Sequence, residues 1–293
     1  MILDAAFFDT LSRLRLAMWH KSTMNLTGNR KSMQKGSSTE FSDFREYMPG
    51  DDIRRIDWNA YGRLDRFFVK EYMEEKEAVV SILLDTSASM DYGVKKKSGL
   101  ACMLAAAFAY IGLNNMDRVV LYDMQKMNMP FVAGSGKRAL PQLTEWLERL
   151  SFDGKVDISE AVMQFPARGQ GVAVIISDFW QEAFLDEKQE SVKKLIRFLN
   201  YCRQKTVLLH VLAGEEMSVE LTGTRNLIDM EEMSALRLTL DDTSIRLYET
   251  ALKDYTIRLK RECDKSEAFY AVCNTQTDFY QLIFKDLRTL YDI

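Results

Sequence analysis

The chain has 293 residues, of which 47% are apolar and 28% charged, and a formal net charge of −4 at pH 7. It can bury a sizeable core as one large domain or two modest ones, and its acidic balance argues against a dedicated nucleic-acid binder. With only two histidines (His20 and His210) and four scattered cysteines, Cys102, Cys202, Cys263 and Cys273, a histidine-rich zinc site or a Ser-His-Asp triad is not expected, and the thiols read as reduced and cytosolic.

Met1-Ile2-Leu3-Asp4 places an acid where a secretory signal would be basic, so a cytoplasmic location is expected. Phe7, Phe8, Leu11, Leu14 and Met18 recur at helical spacing and predict an amphipathic helix over 4–19. Thr10 to Thr39 lacks acidic residues but carries Arg13, Arg15, Lys21, Arg30, Lys31 and Lys35. It reads as a solvated, partly extended segment, with a docking surface for an acidic partner or phosphate as the alternative. Pro49-Gly50-Asp51-Asp52 is a turn signal. Around it, charged residues alternate with Phe41, Phe44, Tyr47, Ile53, Ile56 and Trp58, as half-buried strands or short turns would. Salt bridges and turn caps account for the dense Asp, Glu and Arg there better than a catalytic cluster does. A strand over 64–72 leads into the acidic linker 74–77, which separates an N-terminal helix and β-rich extension (1–75) from the remainder (76–293).

Val79 to Leu84 is a short run, apolar but for Ser81, the pattern of a strand buried on both faces. It stops at Asp85-Thr86-Ser87-Ala88-Ser89. A helix over 97–113, a strand over 117–123, a turn around Gly134 and Gly136, and a helix over 137–150 follow. The apolar stretch Gly99–Leu113 falls short of the roughly 18 to 20 residues that span a bilayer. Asp157-Ile158-Ser159-Glu160 has the form of a capping box opening another helix. A second buried strand, 171–177, ends in Asp178, and a helix over 188–203 precedes a strand over 206–212 that encloses His210, read as a packed core histidine. Short strands over 226–230 and 236–240, a helix over 241–263, a strand over 268–272 and a helix over 278–290 complete the chain. The alternation predicts an α/β fold: a doubly wound, mostly parallel sheet with helices on both faces.

In such sheets ligands bind outside the carboxyl ends of the strands. Asp85 and Asp178 each end a buried strand, and Ser87 and Ser89 add neutral oxygens at positions i+2 and i+4 from Asp85. Oxygen donors without sulfur or imidazole suit Mg²⁺, Mn²⁺ or Ca²⁺. Water would fill the remaining positions, and an acidic side chain of a partner could take the open one. The plainer alternative is that Asp85 and Ser89 only cap the following turn.

Asp85-Thr86-Ser87-Ala88-Ser89 with Ser177-Asp178 resembles the metal-ion-dependent adhesion site of von Willebrand factor A domains. Further motifs are similar to the bacterial family catalogued as domain of unknown function 58. They are Gly36, Glu40-Phe41, Arg45, Tyr47, Pro49-Gly50-Asp51-Asp52, Arg54, Ile56-Asp57-Trp58 and Ile176-Ser177-Asp178-Phe179. The resemblance implies a von Willebrand factor A-like domain, a metal site at Asp85, Ser87, Ser89 and Asp178, and an adaptor or chaperone-like role beside a MoxR-type AAA+ ATPase or its client. It also implies a departure. Where the family carries a threonine before the aspartate, this chain has Gly154-Lys155-Val156-Asp157, and a valine cannot ligate; Asp157 or Ser159 would have to compensate. Many members carry transmembrane helices ahead of this region, and none is expected here.

Two competing classes fit less well. A phosphoryl-transfer enzyme of the haloacid-dehalogenase type needs an aspartate two residues after the first, where this chain has Ser87. A nucleotide-binding domain needs a glycine-rich phosphate loop, and Gly134-Ser135-Gly136-Lys137 lacks the rest of one. A metal-free scaffold with a degenerate site is the remaining alternative to a metal-assisted interaction module.

Overall fold

A computed structural model of the protein describes residues 5–12, 14–16, 40–73, 79–133, 136–166, 170–186, 189–221, 223–231 and 235–292. Helix α1 (Ala5–Leu11) and the short strand β1 (Arg15–Leu16) come first. The helix is shorter than its periodicity predicts, because the chain leaves it to pair β1 antiparallel with β12 (Tyr291–Asp292). A tertiary pairing overrides the local spacing; Met18 and the basic stretch over 17–39 lie outside the described residues.

The described chain divides into two compact units, Met24–Glu77 and the remainder. In the smaller unit, β2 (Glu40–Glu46) pairs antiparallel with β3 (Phe68–Met73). Between them lies helix α2 (Trp58–Leu64), which the alternating pattern reads as strand or turn. No residue of α2 is buried, so there is no apolar stripe to reveal it. Its signal is Asp57, whose carboxylate caps it by accepting from the Asn59 and Ala60 amides at 2.8 and 3.2 Å. Asp51 accepts from the Met48 amide (2.8 Å) and the Arg45 guanidinium (2.9 Å), which holds its carboxyl below the usual range. In the described residues these acids are caps and turn partners, as the salt-bridge reading expects.

The larger unit is built on strands β4 (Val79–Leu84), β5 (Arg118–Asp123), β6 (Phe131–Ala133), β7 (Gly171–Ser177), β8 (Gln204–Leu212) and β11 (Phe269–Asn274). Their order across the sheet is β11-β8-β7-β4-β5-β6, all parallel except β6, which runs antiparallel to β5 at the edge. The fold is therefore α/β with a mostly parallel six-stranded sheet flanked by helices. Helix α3 (Lys97–Asn114) covers one face with α1 and α4 (Leu140–Glu148). The other face carries α5 (Ile158–Met163), α6 (Glu190–Tyr201) and α7 (Asp242–Lys265). Helix α3 is long and apolar enough to cross a membrane by length and composition, yet almost all of it is enclosed within the protein. An exposed antiparallel hairpin, β9 (Gly223–Ile228) with β10 (Ala235–Leu240), precedes α7.

The final helix predicted over 278–290 is broken. A wide turn closes with Leu287 N donating to Leu282 O at 2.9 Å, an i→i+5 bond, and a 3₁₀ turn over Arg288–Leu290 follows. Leu282, Ile283, Leu287 and Leu290 are all buried in one cluster, and the wider turn keeps this apolar face against the core.

Close approach constrains two glycines. Gly112 of α3 faces the sheet, where an added Cβ would stand 2.8 Å from Val119 Cγ2 and 3.1 Å from Val80 Cγ2. At Gly171 it would collide with the Val79 carbonyl and the Gln204 side chain. Gly171→Ala is expected to destabilise by about 1–3 kcal/mol, read as a lowered denaturation midpoint at unchanged slope; an unchanged midpoint would refute the close fit.

Candidate functional site

The strand order reverses between β4 and β7: the chain runs from β4 outward to β5 and β6, then returns to the other side of β4. This switch point is where α/β sheets hold their ligands. Leu84 pairs with Ile176, so Asp85 and the Ser177–Asp178 pair leave neighbouring strand ends side by side.

Asp85 is 1% exposed. Its Oδ1 accepts from the Ser87 amide at 2.9 Å and its Oδ2 from the Ser177 hydroxyl at 2.5 Å. Burial, with the charge of Asp178 adding to it, pushes its carboxyl up to about 6. Among the described residues it forms no ion pair. Ser87 and Ser89 present their hydroxyls to each other at 3.0 Å. The structure thus holds Asp85, Ser87 and Ser89 in one turn, with Asp178 at the neighbouring strand end.

Asp178 is engaged differently from the expectation of a free ligand. Its Oδ2 accepts from Lys97 Nζ at 2.7 Å and its Oδ1 from the Trp180 amide at 3.1 Å. Lys97 opens α3 and is itself 1% exposed. Its ammonium also meets Glu216 Oε1 at 2.8 Å and lies over the Tyr92 ring at 5.8 Å from the centroid. Burial works against that charge, but the two carboxylates outweigh it and the Lys97 pKa is raised. Burial likewise raises Glu216, whose Oε2 accepts from the Ala213 amide at 2.7 Å.

The loop carrying Val156 is pinned against the same turn. Asp153 N donates to Thr86 O at 3.1 Å, and Ala88 N to Gly154 O at 3.0 Å. The Gln125 amide bridges Thr86 O and Asp153 O. Gln181 ties the β7 end to this loop, donating to Val156 O and accepting from the Ile158 amide at 3.2 Å. Val156 is buried in the apolar core on that face of the sheet. Asp157 accepts from the Glu160 amide at 2.9 Å, its capping role, and Ser159 Oγ is buried without a hydrogen-bond partner.

Phe179, directly after Asp178, holds a left-handed φ of 51°. For a bulky residue that conformation costs about 1–3 kcal/mol and is characteristic of functional loops. Ser177 Oγ, accepting from Phe179 N at 3.0 Å, and the Tyr255 hydroxyl, donating to Phe179 O at 2.7 Å, hold it there. His210 lies beneath, fully buried, with Nδ1 paired to the Tyr270 hydroxyl at 2.7 Å; burial pushes it down to about 4. It is a neutral core histidine.

The oxygen set fits a hard divalent cation in one respect above all. A buried carboxylate is ordinarily paired with a cation or a metal, and among the described residues Asp85 has no cation while Asp178 has Lys97. The residues that would hold the ion are Asp85, Ser87 and Ser89, with Asp178 shared; Val156 supplies no donor. No group of three or more His, Cys, Asp or Glu side chains forms a ready cage among the described residues, so the hydroxyls carry the remainder. Sequence reasoning missed Lys97 and Glu216. Their only local signals are a lysine at the mouth of an otherwise apolar helix and a Glu215-Glu216 pair after a buried strand.

The model of a family described as "Protein of unknown function DUF58" matches residues 43–256. Uncharacterized proteins of Mycobacterium bovis and Mycobacterium tuberculosis are each 28% identical over 184 residues. The match takes in 60% of this chain and 58% of each relative's length. Among solved structures, an aerotolerance-related membrane protein from Bacteroides fragilis aligns with a TM-score of 0.40 at 15% identity, covering 73% of this chain and 98% of that one. The conserved hypothetical protein BatB from Bacteroides thetaiotaomicron aligns with the same TM-score and coverages at 16% identity.

Proposed function

The chain belongs to that family of unknown function, and on this premise we propose that it is a non-enzymatic protein-interaction module with a metal-ion-dependent adhesion-type site. It acts in the cytoplasm as an adaptor or chaperone-like partner of a MoxR-type AAA+ ATPase or its client, the partner class that the family resemblance implies. One observation carries the reading: Asp85, buried and without a cation among the described residues, sits beside the Ser87–Ser89 hydroxyl pair at the switch point of the sheet. Mg²⁺, Mn²⁺ or Ca²⁺ bound there would neutralise the cleft and offer a coordination position to an acidic side chain of a partner. The chain's own part is to hold the oxygens in place: Ser177 orients Asp85, and Lys97 fixes Asp178.

The test is isothermal titration of Mg²⁺ and Mn²⁺ into metal-stripped protein, with Asp85→Ala as control. Saturable binding is expected in the wild type, with loss in the variant, which should keep the wild-type secondary structure. In parallel, the protein should alter the turnover of a MoxR-type ATPase while hydrolysing nothing itself. A second reading, a metal-free scaffold, is favoured by Val156 and by the Lys97 ammonium already seated on Asp178. Absence of metal binding with the ATPase effect retained would select it.

A further inference from the structure

Strand β4 carries one polar side chain, Ser81, which is 1% exposed and whose hydroxyl has no hydrogen-bond partner among the described residues. Burying a hydroxyl unpaired is unfavourable, and in the register with β5 it stands beside Val120, which offers no side-chain partner. Ser81 lines a cavity instead. Val79, Ser81, Arg118, Val120 and Tyr122 are alternate residues of two neighbouring strands, so they share one face of the sheet, and they floor a space of about 410 Å³. That volume is within the range of small-molecule sites. Helix α5 ends at Met163, and beyond it Phe165 and Met127 supply the walls. Both are buried, and Phe165 meets the Tyr122 ring edge-on at 5.5 Å between centroids. The cavity starts at the amino ends of β4 and β5, whereas Asp85 follows the carboxyl end of β4.

Arg118 is the one charged residue in the lining. It is exposed at the mouth, and it forms no ion pair among the described residues. Ser81 lies one side-chain step further in, because Arg118 pairs with Val79 and Ser81 with Val120. A guanidinium with free donors recognises a carboxylate through two parallel hydrogen bonds, and the serine hydroxyl can donate a third to the same group. One cation and one hydroxyl match a single negative charge; a phosphate would bring nearly twice that charge and more acceptors than this lining answers. Past the serine, Tyr122, Met127 and Phe165 suit hydrocarbon. We propose that the cavity binds a small apolar monocarboxylate, its carboxylate held by Arg118 and Ser81 and its body packed against Tyr122, Met127 and Phe165. The proposal is independent of the cation reading above.

The experiment is calorimetric titration of octanoate and hydrocinnamate into the full chain as wild type, Arg118→Ala and Ser81→Ala. Octanol, which lacks the charge, and acetate, which lacks the body, serve as controls. Both carboxylates should bind the wild type saturably. Arg118→Ala should weaken them about 10-fold or more and Ser81→Ala about 3- to 10-fold; octanol should bind more weakly than octanoate, and acetate not at all. Arg118 is exposed, and Ser81→Ala removes one oxygen from apolar surroundings, so both variants should keep the fold. No saturable binding of either carboxylate by the wild type overturns the proposal, as does equal affinity in the wild type and Arg118→Ala, or equal affinity for octanol and octanoate. Methyl NMR locates the ligand. Octanoate should shift the Met127 methyl signal, identified by its absence from Met127→Leu, and binding that leaves this signal in place also overturns the proposal.

Discussion

Replacing Lys97 by methionine is expected to lower stability by about 3–5 kcal/mol, the usual result of removing one member of a buried ion pair. The Lys97 stem would still be filled, so the loss is electrostatic. Asp178, buried and 2.7 Å from the ammonium, and Glu216, partly buried and 2.8 Å from it, would both be left without their cation. In a unit of this size the loss corresponds to a fall in Tm of about 10 °C. Guanidinium denaturation would read it directly. Lys97→Met combined with Asp178→Asn should recover part of the loss, because the second change removes the uncompensated charge; the double-mutant cycle measures the coupling. A single-variant cost below about 1 kcal/mol, the range of exposed pairs, would mean that the triad is solvated in solution.

The second large effect is hidden in the wild type and appears in two variants. Asp85 is displaced upward from 3.8 to about 6, chiefly by burial. The native state therefore keeps a proton that the unfolded chain releases, and this contribution to stability is present at low pH and lost as pH rises through 6. His210 is displaced downward from 6.5 to about 4, again chiefly by burial. There the unfolded chain takes the proton first, so the contribution is present above 6.5 and lost as pH falls toward 4. Each displacement is worth about 3 kcal/mol, and the two run in opposite directions across nearly the same window.

Removing either one exposes the other. Relative to the wild type, Asp85→Asn should lose up to about 3 kcal/mol more on acidification from pH 6.5 to 4. His210→Gln should show the reverse, a relative gain of similar size as pH falls from 6 toward 4. Difference curves from urea denaturation at half-unit pH intervals, in metal-free buffer, cancel the contributions of the other carboxylates. Parallel curves for the wild type and Asp85→Asn would show that Asp85 titrates like a solvated carboxylate. A saturating divalent ion should flatten the Asp85 contribution, since an occupied site holds the carboxylate charged.

What the sequence determined by itself is the scaffold and the first half of the site. Val79–Leu84 and Gly171–Ser177 are mostly apolar runs followed by an aspartate, and both are central parallel strands whose ends lie side by side. The Asp85-x-Ser-x-Ser spacing is compact enough that one tight turn must gather its oxygens, and it does. The capping acids Asp57 and Asp157 act within three residues of themselves. All of these are short-range consequences of periodicity and backbone geometry, and so they leave a mark on the string of residues. Helix α2 left only its cap, because it buries nothing.

The tertiary structure alone decided which charges meet. Lys97 lies 81 positions from Asp178 and 119 from Glu216, and Ser177 reaches back 92 to Asp85. Electrostatic pairing depends on distance in space, and separations of this length carry no local period. A buried lysine at the start of an apolar helix looks in sequence like any solvated cap until the sheet closes around it and supplies the carboxylates.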